Sequence, residues 1–316
     1  MSSSRYEALS DEQWARIEPL LPSSVGRRGR RFENNRTVVE AIIYRYRTGV
    51  PWRDLPVEVF GSWKTVWKRH RRYAQDGTWD KVLAALLADA DAAGKIDWTA
   101  VSVDATINRA HQHATNTVRP DQDTGGTVEL HEPAARVRRE STRGDREPAG
   151  HGIGRSRGGL TTKIHAAVDG HGRPLAMVVT GGQRNDGAML TEVLADIRVP
   201  RSGAGRPRTR PDAVVADRAY TSGVNRRMLA GRGIRAVIPQ KVTEIDARRR
   251  KGTRGGRPPA FDADIYKGRN VVERSFNNTK QWRGLATRYD KLAITYRAGV
   301  VLQACFRWSR LLGDTP

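Results

Sequence analysis

The sequence predicts an α/β protein in two parts, an all-α region followed by a domain with a mixed five-stranded sheet and flanking helices. Apolar residues recur at helical spacing through the first hundred residues, whereas from Trp98 the pattern changes to short segments typical of strands, of which 101–107 alternates. The length of 316 residues is also sufficient for two domains. We therefore expect residues 1–97 to form one domain and residues 98–316 the other.

The first region predicts a series of helices. A cap at Ser10 precedes a helix that Pro22 ends, and Asn35 is positioned to cap a second helix over 37–48. A third helix, over 63–74, is strongly basic. Two helices, a glycine-bearing turn and a basic third helix are typical of a helix-turn-helix unit, whose last helix enters the DNA major groove. The alternative is a helical bundle with a solvated basic face. The residues expected to contact DNA from this helix are Lys64, Lys68, Arg69, Arg71 and Arg72.

The second region predicts five strands and four helices in a defined order. A strand is followed by a hairpin, a helix, a strand, a helix, a strand and two final helices. This order matches the ribonuclease H-like arrangement, in which three antiparallel strands precede two parallel ones. The predicted strands are 101–107, 163–169, 175–180, 213–217 and 235–238, and the predicted helices are 188–197, 223–230, 268–283 and 294–312.

A long polar segment separates the first predicted strand from the hairpin. Residues 111–159 are rich in Arg, Gly, Asp and Thr, which predicts a flexible insertion. Within it, residues 115–150 match no motif, so their role stays open.

The charge balance predicts a polyanionic partner. Lys and Arg number 56 against 34 Asp and Glu, so the formal net charge is +22 at pH 7. Such an excess favours nucleic acid, because cationic side chains release the counterions condensed on phosphates. The alternative is a compositional bias toward arginine. A single cysteine excludes a disulfide framework and cysteine-rich zinc modules. With no long apolar segment, the chain is expected to be neither secreted nor membrane-bound, and so cytoplasmic.

Three carboxylates are candidates for phosphodiester chemistry. Asp104 lies within the first strand, which would be central, and Asp217 ends the fourth strand, which would be its parallel neighbour. Glu273 would come from a helix packed over the sheet. Adjacent strands lie about 4.8 Å apart, so acids at matching heights can share a metal. Carboxylate oxygens from separate elements are the ligands that two-metal phosphoryl chemistry requires.

The predicted helix over 268–283 supports this site. If it extends back to Tyr266, then Tyr266, Arg269, Glu273 and Lys280 fall within about 60° of one face at 100° per residue. Such a stripe is a poor core face and a suitable floor for a phosphate and a metal. The alternative is a solvated surface stripe with an ordinary ion pair between Arg269 and Glu273.

Other candidate groups have simpler explanations. Asp186 follows a strand and is expected to be a helix cap, and Asp169 lies at a hairpin turn, where Asp is common. His111 and His113 are candidates for zinc ligands, but they have no cysteine or HExxH partner. We expect them to belong to a polar loop.

Several motifs resemble the bacterial insertion-sequence transposases with a DDE catalytic triad, specifically the insertion-sequence-five family. The spacing Y-(2)-R-(3)-E-(6)-K from Tyr266 to Lys280 is that family's signature, and Asp217-Arg-Ala-Tyr220 is similar to the block after its second acid. Val103-Asp104-Ala-Thr resembles the first catalytic strand. The resemblance covers Leu9 to Leu312, including Gly49-Val-Pro-Trp-Arg-Asp-Leu-Pro56.

The resemblance implies a DNA transposase that binds the terminal inverted repeats of its element, cleaves DNA and transfers the strand to a target. It implies Mg²⁺, with Mn²⁺ as a substitute, held by Asp104, Asp217 and Glu273. It also implies phosphate contacts from Arg269 and Lys280, a DNA-positioning role for Tyr266, and a homodimer or larger assembly on nucleoid DNA. Basic stretches at 26–31 and 248–257 would follow the DNA backbone. The rival hypotheses are a helix-turn-helix regulator, an inactive transposase relic and a nuclease that cuts without joining.

Overall fold

A computed structural model of the chain describes residues 6, 8–23, 34–115 and 149–313. Two predictions concern segments outside these ranges, the basic stretch 26–31 and most of the insertion, residues 116–148. In the parts of the chain that are described, no helix is both long and apolar enough to cross a membrane.

The N-terminal region is helical, as predicted. Ser10 and Gln13 begin the first helix with a reciprocal capping box. The second helix starts two residues before the predicted position, because Asn34 rather than Asn35 caps it by accepting a hydrogen bond from the Arg36 N–H. Gly49 ends that helix at φ +77°, a left-handed conformation that favours glycine. The helices are α1 (Asp11–Ile17), α2 (Asn35–Thr48), α3 (Val57–Phe60), α4 (Trp63–Gln75) and α5 (Thr78–Ala92).

The following region is built on a seven-stranded sheet. Its strands are β1 (Val101–Ala110), β2 (Gly154–Ser156), β3 (Gly159–Val168), β4 (Pro174–Gly181), β5 (Ala213–Val215), β6 (Arg235–Val237) and β7 (Thr287–Arg288). Central β1 pairs antiparallel with β3 and parallel with β5. Strand β4 is antiparallel to β3, and β6 is parallel to β5. The five strands that the sequence predicted therefore lie in the order β4-β3-β1-β5-β6, which confirms the ribonuclease H-like fold. Strands β2 and β7 are short additions.

The predicted insertion has regular structure at both of its ends. Helix α6 (Gln112–Thr115) follows β1, and β2 pairs antiparallel with the start of β3. The prediction of a flexible segment over 111–159 is thus wrong for these residues. For the end before β2 the reason is a buried cation that the sequence pattern does not reveal: the Arg288 guanidinium donates to the carbonyls of His151 (2.7 Å) and Gly152 (3.0 Å).

The remaining helices include the four that were predicted, and α9, α10 and α12 are present in addition. They are α7 (Leu190–Asp196), α8 (Gly223–Gly231), α9 (Val242–Arg250), α10 (Ala263–Lys267), α11 (Asn270–Lys280), α12 (Arg283–Ala286) and α13 (Ala293–Gly313). The helix predicted over 268–283 is shorter, and Gly268 and Arg269 separate it from α10. Glycine is a poor helix former, and here the backbone N–H of Arg269 bonds three residues back, to Tyr266. Tyr266 and Glu273 therefore lie on different helices.

The helical region and the sheet share one hydrophobic core across the predicted boundary at residues 97 and 98. The C-terminal helix α13 packs on α5 and α4 as well as on β4. Just before α13, the Asp290 carboxylate accepts from the Tyr46 hydroxyl (3.1 Å) and pairs with Arg45 (3.2 Å), both on α2 and buried. These contacts fix the helical region relative to the sheet that carries the candidate acids.

Candidate active site

Two of the predicted acids lie at matching heights on neighbouring strands. Ser102 on β1 is paired with Val215 on β5, so two further residues along each chain lead to Asp104 and Asp217. The Asp104 Oδ1 atom accepts from the Ala105 N–H (2.8 Å). The Asp217 side chain accepts from the Ala219 N–H (2.7 Å) and so caps the turn that follows β5. Local backbone hydrogen bonds thus orient both carboxylates.

The third acid is linked to the first through one guanidinium. Arg269 precedes α11, and Glu273 lies in the first turn of that helix. The Arg269 guanidinium donates to Asp104 Oδ2 through Nη1 (2.9 Å) and to Glu273 Oε1 through Nη2. Helix α11 packs against β1 and β3, so it brings this pair to the sheet. The structure therefore gathers Asp104, Arg269 and Glu273 from positions 165 residues apart in the chain.

The electrostatic environment of Asp104 is that of a partly buried acid. Burial raises the pKa of its carboxyl above the ordinary value, and the charge of Asp217 raises it further. The Ala105 N–H and the Arg269 guanidinium act in the opposite direction. A cation near this carboxyl therefore favours its ionised form, which is the form that binds metal.

The donor chemistry of these residues fits a hard divalent cation such as Mg²⁺ or Mn²⁺, because all three acids offer carboxylate oxygens. Among the described residues, however, no three His, Cys, Asp or Glu side chains are grouped so as to hold a metal directly. The contacts of Arg269 supply a reason, since its guanidinium already neutralises Asp104 and Glu273. The Glu273 side chain is 55% exposed.

The other two predicted residues of the stripe have separate positions. Lys280, at the end of α11, donates to the backbone carbonyl of Ile107 on β1 (3.2 Å), and burial lowers the pKa of its ammonium. Tyr266 on α10 packs against the ring of Phe261 and against the small cluster formed by β5 and β6. The structure thus brings Lys280 to the strand of Asp104, three residues beyond it, whereas Tyr266 lies beside the neighbouring strands.

Helix α4 presents a basic face to solvent. Four side chains are exposed and lie within about 100° of one another on the helix: Lys64, Lys68, Arg71 and Arg72. Arg69 does not belong with them. It is 6% exposed and donates to Asn35 Oδ1 (2.6 Å) and to the Tyr73 hydroxyl (3.3 Å). Its expected DNA contact is therefore contradicted, and the helical spacing to Tyr73, four residues on, was the signal available in the sequence.

Arg69 gives a first testable prediction. We expect Arg69→Gln to lower the free energy of unfolding by about 2 kcal/mol, because it removes charged hydrogen bonds from buried partners. Urea unfolding followed by circular dichroism measures this loss. Lys68→Gln, its exposed neighbour, is expected to change stability by less than about 0.5 kcal/mol. Equal stability losses in both variants would contradict the structural role of Arg69.

A second basic surface is tied to the turn after Asp217 by a hydrogen bond. The stretch from Arg248 to Arg257, expected as a loop, begins within helix α9, none of whose residues is buried. On that helix the Glu244 carboxylate accepts from the Thr221 hydroxyl (2.9 Å). The basic helix is thus tied to a residue only four positions beyond Asp217.

The competing acids and histidines are explained by local structure, with one correction. Asp169 accepts from backbone N–H groups in the β3–β4 turn, as predicted. Asp186 makes no capping hydrogen bond; its carboxylate instead accepts from the buried Lys163 ammonium (2.8 Å). The expected cap is therefore wrong, since a buried cation needs an anionic partner more than the helix end needs a cap. His111 and His113 pack against each other beside Tyr289.

Sequence reasoning assigned no separate role to Tyr220. Its side chain is 1% exposed, and within the described part of the chain its hydroxyl has no hydrogen-bond partner. Burial raises its pKa, as do the nearby charges of Asp104, Asp186 and Asp217. A phenol that stays protonated is thus held close to the acids. Its position three residues after Asp217 was the available signal.

Comparisons with known proteins agree with this architecture. The model of a transposase DDE domain matches residues 98–305, about two thirds of the chain, and a model described as a putative transposase of the IS4/5 family matches residues 9–83. The two matched segments correspond to the sheet-containing region and to the helical region.

Three similar proteins come from bacterial sources. Uncharacterized protein y4sN of Sinorhizobium fredii is 40% identical over 109 residues, which are 34% of this chain and 81% of that protein. The putative transposase for insertion sequence element IS402 of Burkholderia cepacia is 33% identical over 46% of this chain and 61% of its own length. The putative transposase for insertion sequence element IS6501 of Brucella ovis is 30% identical over 48% of this chain and 100% of its own length.

Proposed function

Because this chain belongs to the DDE transposases of the IS4/5 group, we propose that it binds the terminal inverted repeats of an insertion sequence, cleaves DNA there and joins the freed end to target DNA. The observation that carries this proposal is the convergence of Asp104, Arg269 and Glu273 beside the strand that leads to Asp217. Three acids and a guanidinium on neighbouring elements would form a site for a phosphodiester and a divalent cation.

Asp104, Asp217 and Glu273 would hold Mg²⁺, with Mn²⁺ as a substitute. When bound, the metal would lower the pKa of the attacking water or 3′-hydroxyl and stabilise the negative charge that develops on the phosphate oxygens. The Ala105 and Ala219 N–H groups each donate to one carboxylate oxygen, of Asp104 and of Asp217 respectively, and so orient these two acids. Glu273, the most exposed of the three, completes the set and orders the attacking group.

The chain's cations would handle the phosphates. Arg269 offers a planar guanidinium that matches phosphate geometry, and Lys280 contributes a point charge at the same strand. Tyr266, beside Phe261, would position the DNA by stacking or by hydrogen bonding. In both chemical steps one P–O bond breaks as another forms, first with water and then with the freed 3′-hydroxyl as the nucleophile.

The helical region would recognise the DNA ends. Lys64, Lys68, Arg71 and Arg72 form an exposed basic face, and α9 supplies a second one next to the turn after Asp217. We propose residues 1–97 as the DNA-binding domain and residues 98–316 as the catalytic domain. Because the reaction acts on paired ends, a homodimer or larger assembly would form on DNA, at the nucleoid.

The test is a cleavage and joining assay with the full chain. The substrate is a linear fragment that carries the inverted repeat flanking the reading frame, and a supercoiled plasmid is the target. We expect nicking at the repeat and joined products with Mg²⁺ or Mn²⁺, and neither product with EDTA. Specific binding without cleavage would support the regulator or relic instead, and cleavage without joining would support a nuclease.

A further inference from the structure

The Arg269 side chain occupies the position between two of the proposed metal ligands. Its Nη1 contacts Asp104 Oδ2 and its Nη2 contacts Glu273 Oε1, so one guanidinium bridges acids from a strand and a helix. The side chains of Arg269 and Asp104 are 21% and 20% exposed. This pair is therefore partly shielded from solvent, where ion pairs are screened less than at the surface.

The charges in this cluster disfavour the presence of the Arg269 guanidinium and a divalent cation at the same time. Asp104, Asp217 and Glu273 carry three negative charges when ionised, and Arg269 supplies one positive charge. Both Asp104 oxygens already accept hydrogen bonds, one from the Ala105 N–H and the other from Arg269. A metal ion on Asp104 and Glu273 would lie within a few ångströms of the guanidinium and would be repelled by it.

The position of Arg269 also allows it to leave. The residue lies between two helices, where Gly268 and Arg269 make three-residue turn hydrogen bonds, and its long side chain reaches the acids from the N-terminal end of α11. Glu273 is the more exposed acid of the pair that the guanidinium bridges. A DNA phosphate in the site would offer the guanidinium a bidentate anion in exchange.

We propose that Arg269 is an internal counter-ion that positions Asp104 and Glu273 in the DNA-free protein and is exchanged for a divalent cation when DNA supplies a phosphate. This inference rests on the proposed function, because it assumes that the three acids are the metal ligands. It makes Arg269 a positioning residue in the free protein and couples the binding of metal to the binding of DNA. By linkage, each ligand then strengthens the binding of the other.

The test measures Mn²⁺ binding to the full chain without DNA, by electron paramagnetic resonance of free Mn²⁺. We expect Arg269→Gln to bind Mn²⁺ about tenfold more tightly than the wild type, because a competing charge is removed. Arg269→Lys is expected to lie between them, since an ammonium cannot bridge two carboxylates as a guanidinium does. Arg274→Gln, an exposed neighbour on α11, is the charge-matched control and should bind as the wild type does.

A second measurement compares Mn²⁺ affinity in the presence and in the absence of end DNA. End DNA should tighten Mn²⁺ binding to the wild type several-fold more than it tightens binding to Arg269→Gln, because only the wild type has a counter-ion to release. If Arg269→Gln fails to fold, Arg269→Lys serves in its place, because it too is expected to bind Mn²⁺ more tightly than the wild type. Mn²⁺ affinity that is unchanged or weaker in both variants overturns the inference.

The outcomes separate this inference from the proposed function. Asp217→Asn should lose tight Mn²⁺ binding if the acids are the metal site, and wild-type Mn²⁺ binding in that variant would count against the proposed function. If the wild type cuts and joins DNA but the Arg269 variants bind Mn²⁺ with wild-type affinity, the proposed function is supported and the counter-ion role of Arg269 is contradicted.

Discussion

Glu273→Gln is expected to cleave end DNA at least about 10³-fold more slowly than the wild type while binding that DNA no less tightly. The substitution removes a charged oxygen ligand, and the loss of several kcal/mol of transition-state stabilisation corresponds to about three factors of ten. Asp217→Asn is expected to behave in the same way. Single-turnover cleavage at saturating protein measures the chemical step, and a gel-shift titration in Ca²⁺ measures DNA binding.

The control for this prediction is an acid of the same region outside the site. Asp264 on α10 is 88% exposed and pairs only with its neighbour Lys267 among the contacts described for it. We expect Asp264→Asn to cleave at close to the wild-type rate. Cleavage by Glu273→Gln and Asp217→Asn at the wild-type rate would contradict the assignment of these acids to the catalytic site.

The second large effect is expected from the basic face of α4. Replacing Lys64, Lys68, Arg71 and Arg72 together with Gln should weaken binding of end DNA roughly 10³-fold at 0.15 M salt. The slope of log K against log salt should become shallower by about 3.6, because each lost phosphate contact contributes about 0.9. Fluorescence anisotropy over a range of salt concentrations gives both values.

The comparison for this variant is a neutralisation elsewhere on the surface. Arg201 and Arg206 are exposed in the segment before β5, outside the basic face of α4 in the sequence. Their double replacement with Gln should change the slope by less than about 0.5 per charge. If both variants lose affinity equally for each charge removed, or if the wild type shows a flat salt response, the basic face is not the DNA-binding surface and the charge of +22 is compositional.

The order of elements was predictable because it depends on local patterns. Alternation predicted β1, a short apolar run predicted β5, and glycine in the turn predicted the β3–β4 hairpin. Once this order was known, the parallel pairing of β1 with β5 followed, and with it the matching heights of Asp104 and Asp217. Periodicity is a property of adjacent residues, so it survives without any knowledge of distant contacts.

Contacts between distant residues were not predictable in the same way. The helical wheel correctly related Arg269 to Glu273 but gave no sign that the same guanidinium reaches Asp104, 165 residues away. The wheel also assumed an unbroken helix from Tyr266, whereas the chain turns at Gly268. A wheel describes directions around one axis only, and it does not report which neighbour occupies each direction.

By itself, the sequence determined the fold class, the order of the strands and the three acids at motif spacing, since each depends on local propensity or on residue identity. Only the tertiary structure decided which charges are satisfied inside the protein. Arg69 binds Asn35, Asp186 binds Lys163, and Arg269 binds two acids at once. The physical reason is desolvation: a charge brought away from water must find a partner, and the partner it finds depends on how distant segments pack.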